Sequence, residues 1–391
     1  MENPFELKIY DRDFNFKGYI GNPIELAVTP RFNETGTATV KIELDHRLAP
    51  FILDEGSRIV INKDGRFVLS GKIFQKNAEG PAVKGTLTFY VKSDFRVVHQ
   101  VLGWPLPYSP LTDQGKGTYV ISGNAEDAIK ELVYANAVNR LGLPITVAGS
   151  ANRGATLPAG LDIRFHPIYE KAFPAIEQAG LGVTFEQYAG GIMMDCFVPP
   201  VYPDVLSEES GVLQWWSWSA ADAATTRVIA EGTGQTTKDA AGNSVEAAKL
   251  YALAVDNDLE ASYNDATETH RLGSNGSNSD DSDAVRLTAL QADAAEALAE
   301  GAPTAGFAVR LSETGTFRYG ENNLVVGALV TISVGGVTRT DYLREVTMTY
   351  SRDRGVEVTP IVGDIRDNPD RVIAGFLARL KKSINNLKAS K

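Results

Sequence analysis

The chain has a single cysteine, Cys196, in 391 residues. One thiol excludes an intrachain disulfide framework and any cysteine-based zinc site. Histidine is nearly as scarce. His46, His99, His166 and His270 are scattered, with no His-Glu-x-x-His and no pair at metal-ligand spacing. His166 and Glu170 stand four apart on an expected helix face, so a metal pair is conceivable, but an ordinary surface or core histidine is the favoured reading. Basic charge is also short. With 38 Lys and Arg against 49 Asp and Glu the net charge is −11, which argues against a general nucleic-acid-binding face. Nucleic acid sliding past an acidic wall without sticking is compatible with that charge. No stretch of about 18 apolar residues exists, so no membrane-spanning helix is expected. The opening Met1-Glu2-Asn3-Pro4 lacks the basic and apolar regions of a secretory signal, and the expectation is a protein made in a cytoplasm.

Catalytic motifs are missing as well. Gly232-Thr233-Gly234 has neither the lysine nor the strand–helix setting of a phosphate loop. Asp256-Asn257-Asp258-x-Glu260 offers oxygen ligands for calcium but no loop glycine, and reads as a solvated acidic turn. There is no Gly-x-Ser-x-Gly elbow. Carboxylates are plentiful, yet no spacing singles out a glycosidase pair. The expectation is a non-enzyme with no catalytic, cofactor-binding or metal residues.

What the sequence does contain is a pattern used twice. Leu53-x-x-Gly56-x-x-Ile59-x-Ile61-x-x-x-Gly65 recurs as Leu324-x-x-Gly327-x-x-Val330-x-Ile332-x-x-x-Gly336. The pattern describes a strand entered from a glycine turn and left through a two-residue hairpin, Asp64-Gly65 in one copy and Gly335-Gly336 in the other. Another strand follows each, Phe67 to Phe74 and Tyr342 to Tyr350, with a register drift of about two residues. A duplicated β-domain is expected.

Around the first copy, from Leu7 to Lys92, apolar side chains alternate: Leu7 and Ile9; Val40, Ile42 and Leu44; Leu87, Phe89 and Val91. Short half-buried strands of this kind suggest a barrel or sandwich. After Ser93 the character changes. Asn124 begins a helix as its cap, with Asp127 three residues on and Gly142 beyond its end. A second helix is expected from Pro167 to Ala179 despite Pro174, then a hairpin, Val183 to Gln187 and Ile192 to Val198. Strand composition returns over Leu213 to Glu231. Ser274 to Asp283 reads as a mobile loop, Val285 to Leu298 as a helix, and strands resume from Gly306 to Val362. The fold class is mainly β with an α+β insert. Its boundaries are 1–94 for a first β-barrel, 95–212 for an α+β domain, 213–366 for a second β-barrel with an insertion at about 246–302, and 367–391 for a terminal helix.

That helix starts at Pro369, and Ile373, Leu377, Leu380, Ile384 and Leu387 follow the 4-3-4-3 spacing of a coiled-coil seam. An inter-subunit seam, a helix lying on its own barrel, and a membrane-surface helix all fit, in that order of preference. Leu213-Gln214-Trp215-Trp216-Ser217-Trp218 is the one aromatic concentration. On a strand Trp216 and Trp218 share a face and Trp215 takes the other, so at least one face is expected to be core or subunit interface. Packing is favoured over a sugar-stacking platform.

Laid out in this order, the chain resembles the baseplate-hub proteins at the tail tip of tailed phages, and looks closest to minor tail proteins of long-tailed phages infecting actinobacteria. The residues that carry the resemblance are Leu53-Asp54-Glu55-Gly56 through Ser70-Gly71-Lys72-Ile73, Ala224 to Gly232, Phe317-Arg318-Tyr319-Gly320 leading to Leu324 to Val330, Arg344-Glu345-Val346, and Val358 to Gly363. The resemblance implies a virion protein that forms a homotrimer, with two barrels per subunit in a ring of six. Such a ring meets a six-fold distal tail or tube protein and surrounds a channel for the tape-measure protein and then DNA. Other tail-tip or receptor-binding proteins are implied partners. Gly232-Thr233-Gly234 departs from the fuller glycine-rich run of the family, and no attached peptidase or lysozyme domain is expected. The alternative function is a glycan-binding or cell-wall-degrading tail protein.

Overall fold

The computed structural model describes residues 3–81, 84–115, 117–188, 190–232, 236–238, 244–246, 249–272, 282–313 and 317–363. Of the loop expected at Ser274 to Asp283, residues 274–281 lie outside these residues and Asp283 opens a helix, while the terminal helix expected from Pro369 lies wholly outside them. Two compact units divide the chain: residues up to Trp216 together with those from Ala308, and residues from Ser217 to Phe307.

The first unit opens with seven strands: β1 (Phe5–Tyr10), β2 (Phe16–Ile20), β3 (Glu25–Thr29), β4 (Thr37–Glu43), β5 (Arg58–Lys63), β6 (Arg66–Glu79) and β7 (Thr86–Ser93). The expected alternation holds: Leu7, Ile9, Val40, Ile42, Leu87, Phe89 and Val91 are buried, each next to a more exposed neighbour. Leu44 falls beyond the end of β4 and is 38% exposed. Six of the left-handed backbone positions fall in the repeat. Gly56 and Gly327 have φ of +79° and +90°, Asp64 and Gly65 +50° and +75°, and Gly335 and Gly336 +60° and +79°. Positive φ at both central residues makes each hairpin a type I′ turn, whose twist matches the flanking strands. The turns are closed by Lys63 opposite Arg66 and by Val334 opposite Val337.

The equivalence continues beyond the motif. A β-bulge between Ile61 and Asn62 has no counterpart in the second copy, so the register drifts by one residue there and not by two. Lys72, opposite Arg58, then corresponds to Tyr342, opposite Leu329. The Ile73 amide donates to the Ser57 carbonyl (2.9 Å) as the Leu343 amide donates to that of Ala328 (2.7 Å). A second bulge falls at the same place in both copies, between Ile73 and Gln75 and between Leu343 and Glu345. From there β6 pairs with β7, β4 and then β3, in the same order that Val337–Ser351 is followed by Gly355–Gly363, Thr304–Leu311 and Leu213–Ala221.

The two copies do not stand as two closed barrels. The second edge of β3 is taken by Val337–Ser351, with Val28 opposite Met348 and Leu26 opposite Tyr350. The first copy therefore opens into the second, and one 13-stranded sheet runs from Leu213–Ala221 through both to β2. Among the described residues no barrel closes. Leu329–Val334 branches from this sheet and pairs in parallel with Val201–Ser207.

In the second unit Arg227–Glu231 lies centrally between Tyr251–Val255 (antiparallel) and Glu268–Leu272 (parallel). Helix Asp283–Glu300 covers that sheet, burying Leu290 and Ala294 with Val228, Ala230 and Ala252.

Left-handed backbone costs a residue with a Cβ about 1–2 kcal/mol. Nothing lies within 4 Å of a Cβ added at Gly65 or at Gly336, so strain is the whole effect. Gly65→Ala and Gly336→Ala should each lose about 1–2 kcal/mol in urea unfolding. Markedly unequal losses would show that the two turns are not equivalent.

Candidate functional site

Between the two repeats lies the expected α+β region. Asn124 caps helix Ala125–Val133, its Oδ1 accepting from the Glu126 amide at 2.9 Å. A π-helical turn, Tyr134–Asn139, extends it. Helix Ile168–Gln178 tolerates Pro174 in its interior while burying Ile168, Ala172, Phe173 and Ile176. The hairpin Gly182–Tyr188 with Gly191–Phe197 forms as read, and Ile145–Val147 adds to it in parallel. Their apolar faces meet in one core that includes Ile129, Leu132, Phe173, Phe185 and Met194.

Inside this region four charged side chains close on one another. Glu126 is fully buried in the first turn of its helix. Lys130, one turn on, reaches Glu126 at 2.6 Å and Asp195 at 2.8 Å. Arg153 spans the same two carboxylates at 2.6 and 2.7 Å. The amides of Ala151 and Arg153 donate to the other Glu126 oxygen at 3.1 and 2.7 Å. Burial alone would raise the Glu126 pKa, but the hydrogen bonds from Arg153, Lys130 and the two amides hold it down at about 2. With two cations against two anions, the cluster pins the loop at 149–153 to helix and strand. It presents no free base beside a nucleophile. Next to it, burial pushes the Cys196 thiol up to about 12, so it is neutral and inert at physiological pH.

A second buried pair ties this region to the first repeat. Arg58 Nη2 donates to both Asp94 oxygens (2.6 and 2.7 Å), and Arg58 Nε donates to Gln187 Oε1 (2.8 Å). Ser70 Oγ donates to Asp94 (2.8 Å) and accepts from the Gln187 amide (2.9 Å). Nearby, Asn33 bridges to the hairpin, donating to the Leu181 carbonyl (3.0 Å) and accepting from the Val183 amide (2.8 Å). A cavity of about 500 Å³ lies along this seam, lined by Phe32, Phe67, Phe95, Phe185 and Phe197 among others. Charged side chains, among them Arg31, Glu34, Arg153, Glu186 and Asp195, line it beside the aromatic rings.

The histidines do not converge. His46 Nδ1 accepts from the Leu48 amide, His99 stands 2.9 Å from Glu34 and stacks on Tyr169, and His270 pairs with Glu231 at 2.8 Å. His166 sits in the two-residue strand His166–Pro167, before the helix begins at Ile168, so it does not share a helix face with Glu170. Among the described residues no three His, Cys, Asp or Glu side chains form a metal-binding group. Asp256 is spent as a helix cap for the Leu259 amide, and Glu260 is paired with Arg227 at 2.6 Å. Gly232 is described, whereas Thr233 and Gly234 lie outside the described residues. Trp215, Trp216 and Trp218 are 44%, 45% and 50% exposed, so among the described residues none of the three is a core side chain. Of the charged networks, only the i,i+4 spacing of Glu126 and Lys130 was visible in the sequence. Arg153, Asp195 and the Arg58–Asp94 pair come together from distant positions without a local signal.

The fold of this chain is similar to those of solved tail proteins. The chain is similar to the crystal structure of the tail protein from Neisseria meningitidis MC58, at 14% identity and a TM-score of 0.50, covering 93% of this chain and 97% of that one. It is also similar to the 43 kDa tail protein of prophage MuSo2 from Shewanella oneidensis, at 11% identity and a TM-score of 0.51, covering 91% and 98%. No curated protein matches the sequence. The chain belongs to the Siphovirus ReqiPepy6 Gp37-like protein family, whose model matches residues 6–364.

The depressed Glu126 pKa has a definite sign. A carboxylate held at about 2 in the fold and near the ordinary value when unfolded contributes stability above about pH 4.5, and that stability is lost as pH falls towards 2. Glu126→Gln should lower stability by roughly 3 kcal/mol at pH 7, since Lys130 and Arg153 lose their shared anion. Its denaturation midpoint should also change less between pH 5 and 2.5 than that of the parent. A variant with parental stability and pH dependence would remove Glu126 from this role.

Proposed function

We propose that this protein is a structural component of the tail tip of a long-tailed phage, a hub without catalytic activity of its own. Three copies form a ring, and the two repeats of each copy give it six similar barrel-like walls. The observation that carries this reading is the duplicated strand order, with both copies fused in one sheet. A three-fold assembly matches a six-fold tube only if every subunit offers two similar surfaces. The partners on this reading are a six-fold distal tail or tube protein, the tape-measure protein, and further tail-tip or receptor-binding proteins. DNA passes the channel without specific binding, which suits a net charge of −11. The host is an actinobacterium. The domain plan is 1–94, 95–212, 213–366 and 367–391.

A second reading, a glycan-binding or cell-wall-degrading tail protein, is favoured by one observation, the three exposed tryptophans on Leu213–Ala221. Native mass measurement and class averages of the purified protein separate the two. The hub reading expects three times the 42.2 kDa chain mass and three-fold particles with a pseudo-six-fold rim. It also expects no signal on a glycan array and no peptidoglycan release. Peptidoglycan turnover abolished by one carboxylate or histidine substitution would overturn it.

A further inference from the structure

The cavity of about 500 Å³ along the seam of the first repeat and the α+β region carries one charge that the chain does not balance. Five charged side chains line it: Arg31, Glu34, Arg153, Glu186 and Asp195. Arg31 is paired with Glu345 at 2.7 Å. Glu34 stands 2.9 Å from His99 and accepts from the Tyr169 hydroxyl at 2.9 Å. Arg153 and Asp195 are paired with each other at 2.7 Å, inside the cluster that also holds Glu126 and Lys130. Glu186 is the exception. Its backbone is fixed in the ladder opposite Met193, yet among the described residues its carboxylate has no hydrogen-bond or ion-pair partner.

Much of the remaining lining is rings: Phe32, Phe67, Phe95, Phe185, Phe197 and Tyr319. The face of an aromatic ring is negative and attracts a cation, most strongly where water is excluded. The chain already uses one of these rings in that way, with the Arg344 guanidinium 5.8 Å from the centre of Phe32. Packed atoms strip water from the Glu186 carboxylate and the Asp195 charge adds to the effect, so its pKa stands above the ordinary value. A cation placed beside Glu186 relieves both costs. An anion finds no free cation among the described lining residues, because Arg31 and Arg153 are each held by carboxylates.

We propose that this cavity binds an organic monocation with an apolar body, of the alkylammonium or guanidinium kind, its charge taken by Glu186 and its body lying among the rings. The volume falls within the range of small-ligand sites, about 300–1,000 Å³. One charge is called for and not two, since Glu34 and Asp195 are already engaged. Two sources share this chemistry: a free organic cation, and a lysine or arginine side chain of a partner protein. Every lining residue comes from a single chain, so the site stands whether or not the ring proposed above forms.

The test is calorimetric titration of the full-length protein with benzyltrimethylammonium, its neutral counterpart benzyl alcohol, and the anion phenylacetate. The cation should bind at one site, more tightly than benzyl alcohol, and phenylacetate should not bind. Glu186→Gln keeps the side chain's shape and removes its charge, and should weaken the cation at least about tenfold while leaving benzyl alcohol unchanged. Phe67→Leu, at a ring 38% exposed, should weaken it several-fold by removing one aromatic face. In the parent the affinity should also fall as pH drops from 7 towards 4.5 and Glu186 takes up a proton. That measurement needs no variant, so it decides the matter if Glu186→Gln fails to fold. Acetyl-phenylalanyl-lysine amide assigns the source: binding tighter than benzyltrimethylammonium points to a partner's side chain and weaker binding to a free cation, and both support the site. Failure of both cations to bind, equal affinity for benzyl alcohol, or a folded Glu186→Gln variant with parental affinity overturns it.

Discussion

Arg58 and Asp94 form an ion pair from which water is almost wholly excluded, the arginine 5% exposed and the aspartate 0%. Removing two charges from water costs several kcal/mol per ion unless geometry and extra hydrogen bonds offset it. Here both carboxylate oxygens are engaged, and Gln187 takes the remaining guanidinium edge. Such a pair tolerates only one arrangement of β5, the end of β7 and the strand Gly182–Tyr188. The α+β region is thereby registered on the first repeat. Arg344 does the corresponding work on the second, reaching Glu177 of helix Ile168–Gln178 at 2.7 Å. The insert is therefore tied by charge to both repeats.

Arg344 and Phe74 occupy the same bulge position in the two copies. A bulge turns one extra side chain out of the ladder and aims it. In one copy the aimed residue is an arginine bound to Glu177; in the other it is a phenylalanine left 49% exposed. The backbone device has been kept while its chemistry has diverged, as expected where one copy faces its own chain and the other faces outward.

Much of this was legible in the sequence because it is written locally. The glycine offsets announced both type I′ hairpins, since left-handed backbone leaves few residue choices. Asn124 announced its helix because a cap must satisfy a nearby amide, and the period-two runs announced β1, β4 and β7. The fusion of the repeats into one sheet was not legible. Pairing between β3 and Val337–Ser351 joins residues such as Thr29 and Thr347, 318 positions apart, and neither strand carries a mark of its partner. The tryptophans were read as core or subunit interface, and all three are exposed in the single chain, so the sequence pattern alone did not separate those two settings. The Glu126 cluster was not read: its one local signal is the i,i+4 spacing to Lys130, and its other members come from a loop and a strand.

The span between β3 and its partner strand also sets a timetable. At about 5–20 residues per second of synthesis, the strand that covers Glu25–Thr29 emerges on the order of 15 s to a minute after it. Throughout that interval the nascent chain carries a bare edge with the same pairing chemistry as the one at Leu213–Ala221. On a messenger read by many ribosomes, neighbouring nascent chains meet during that interval, and a finished subunit can offer an early one the wrong strand. Delayed completion of one internal joint thus leaves that edge open to pairing with another copy for as long as synthesis of the partner strand takes.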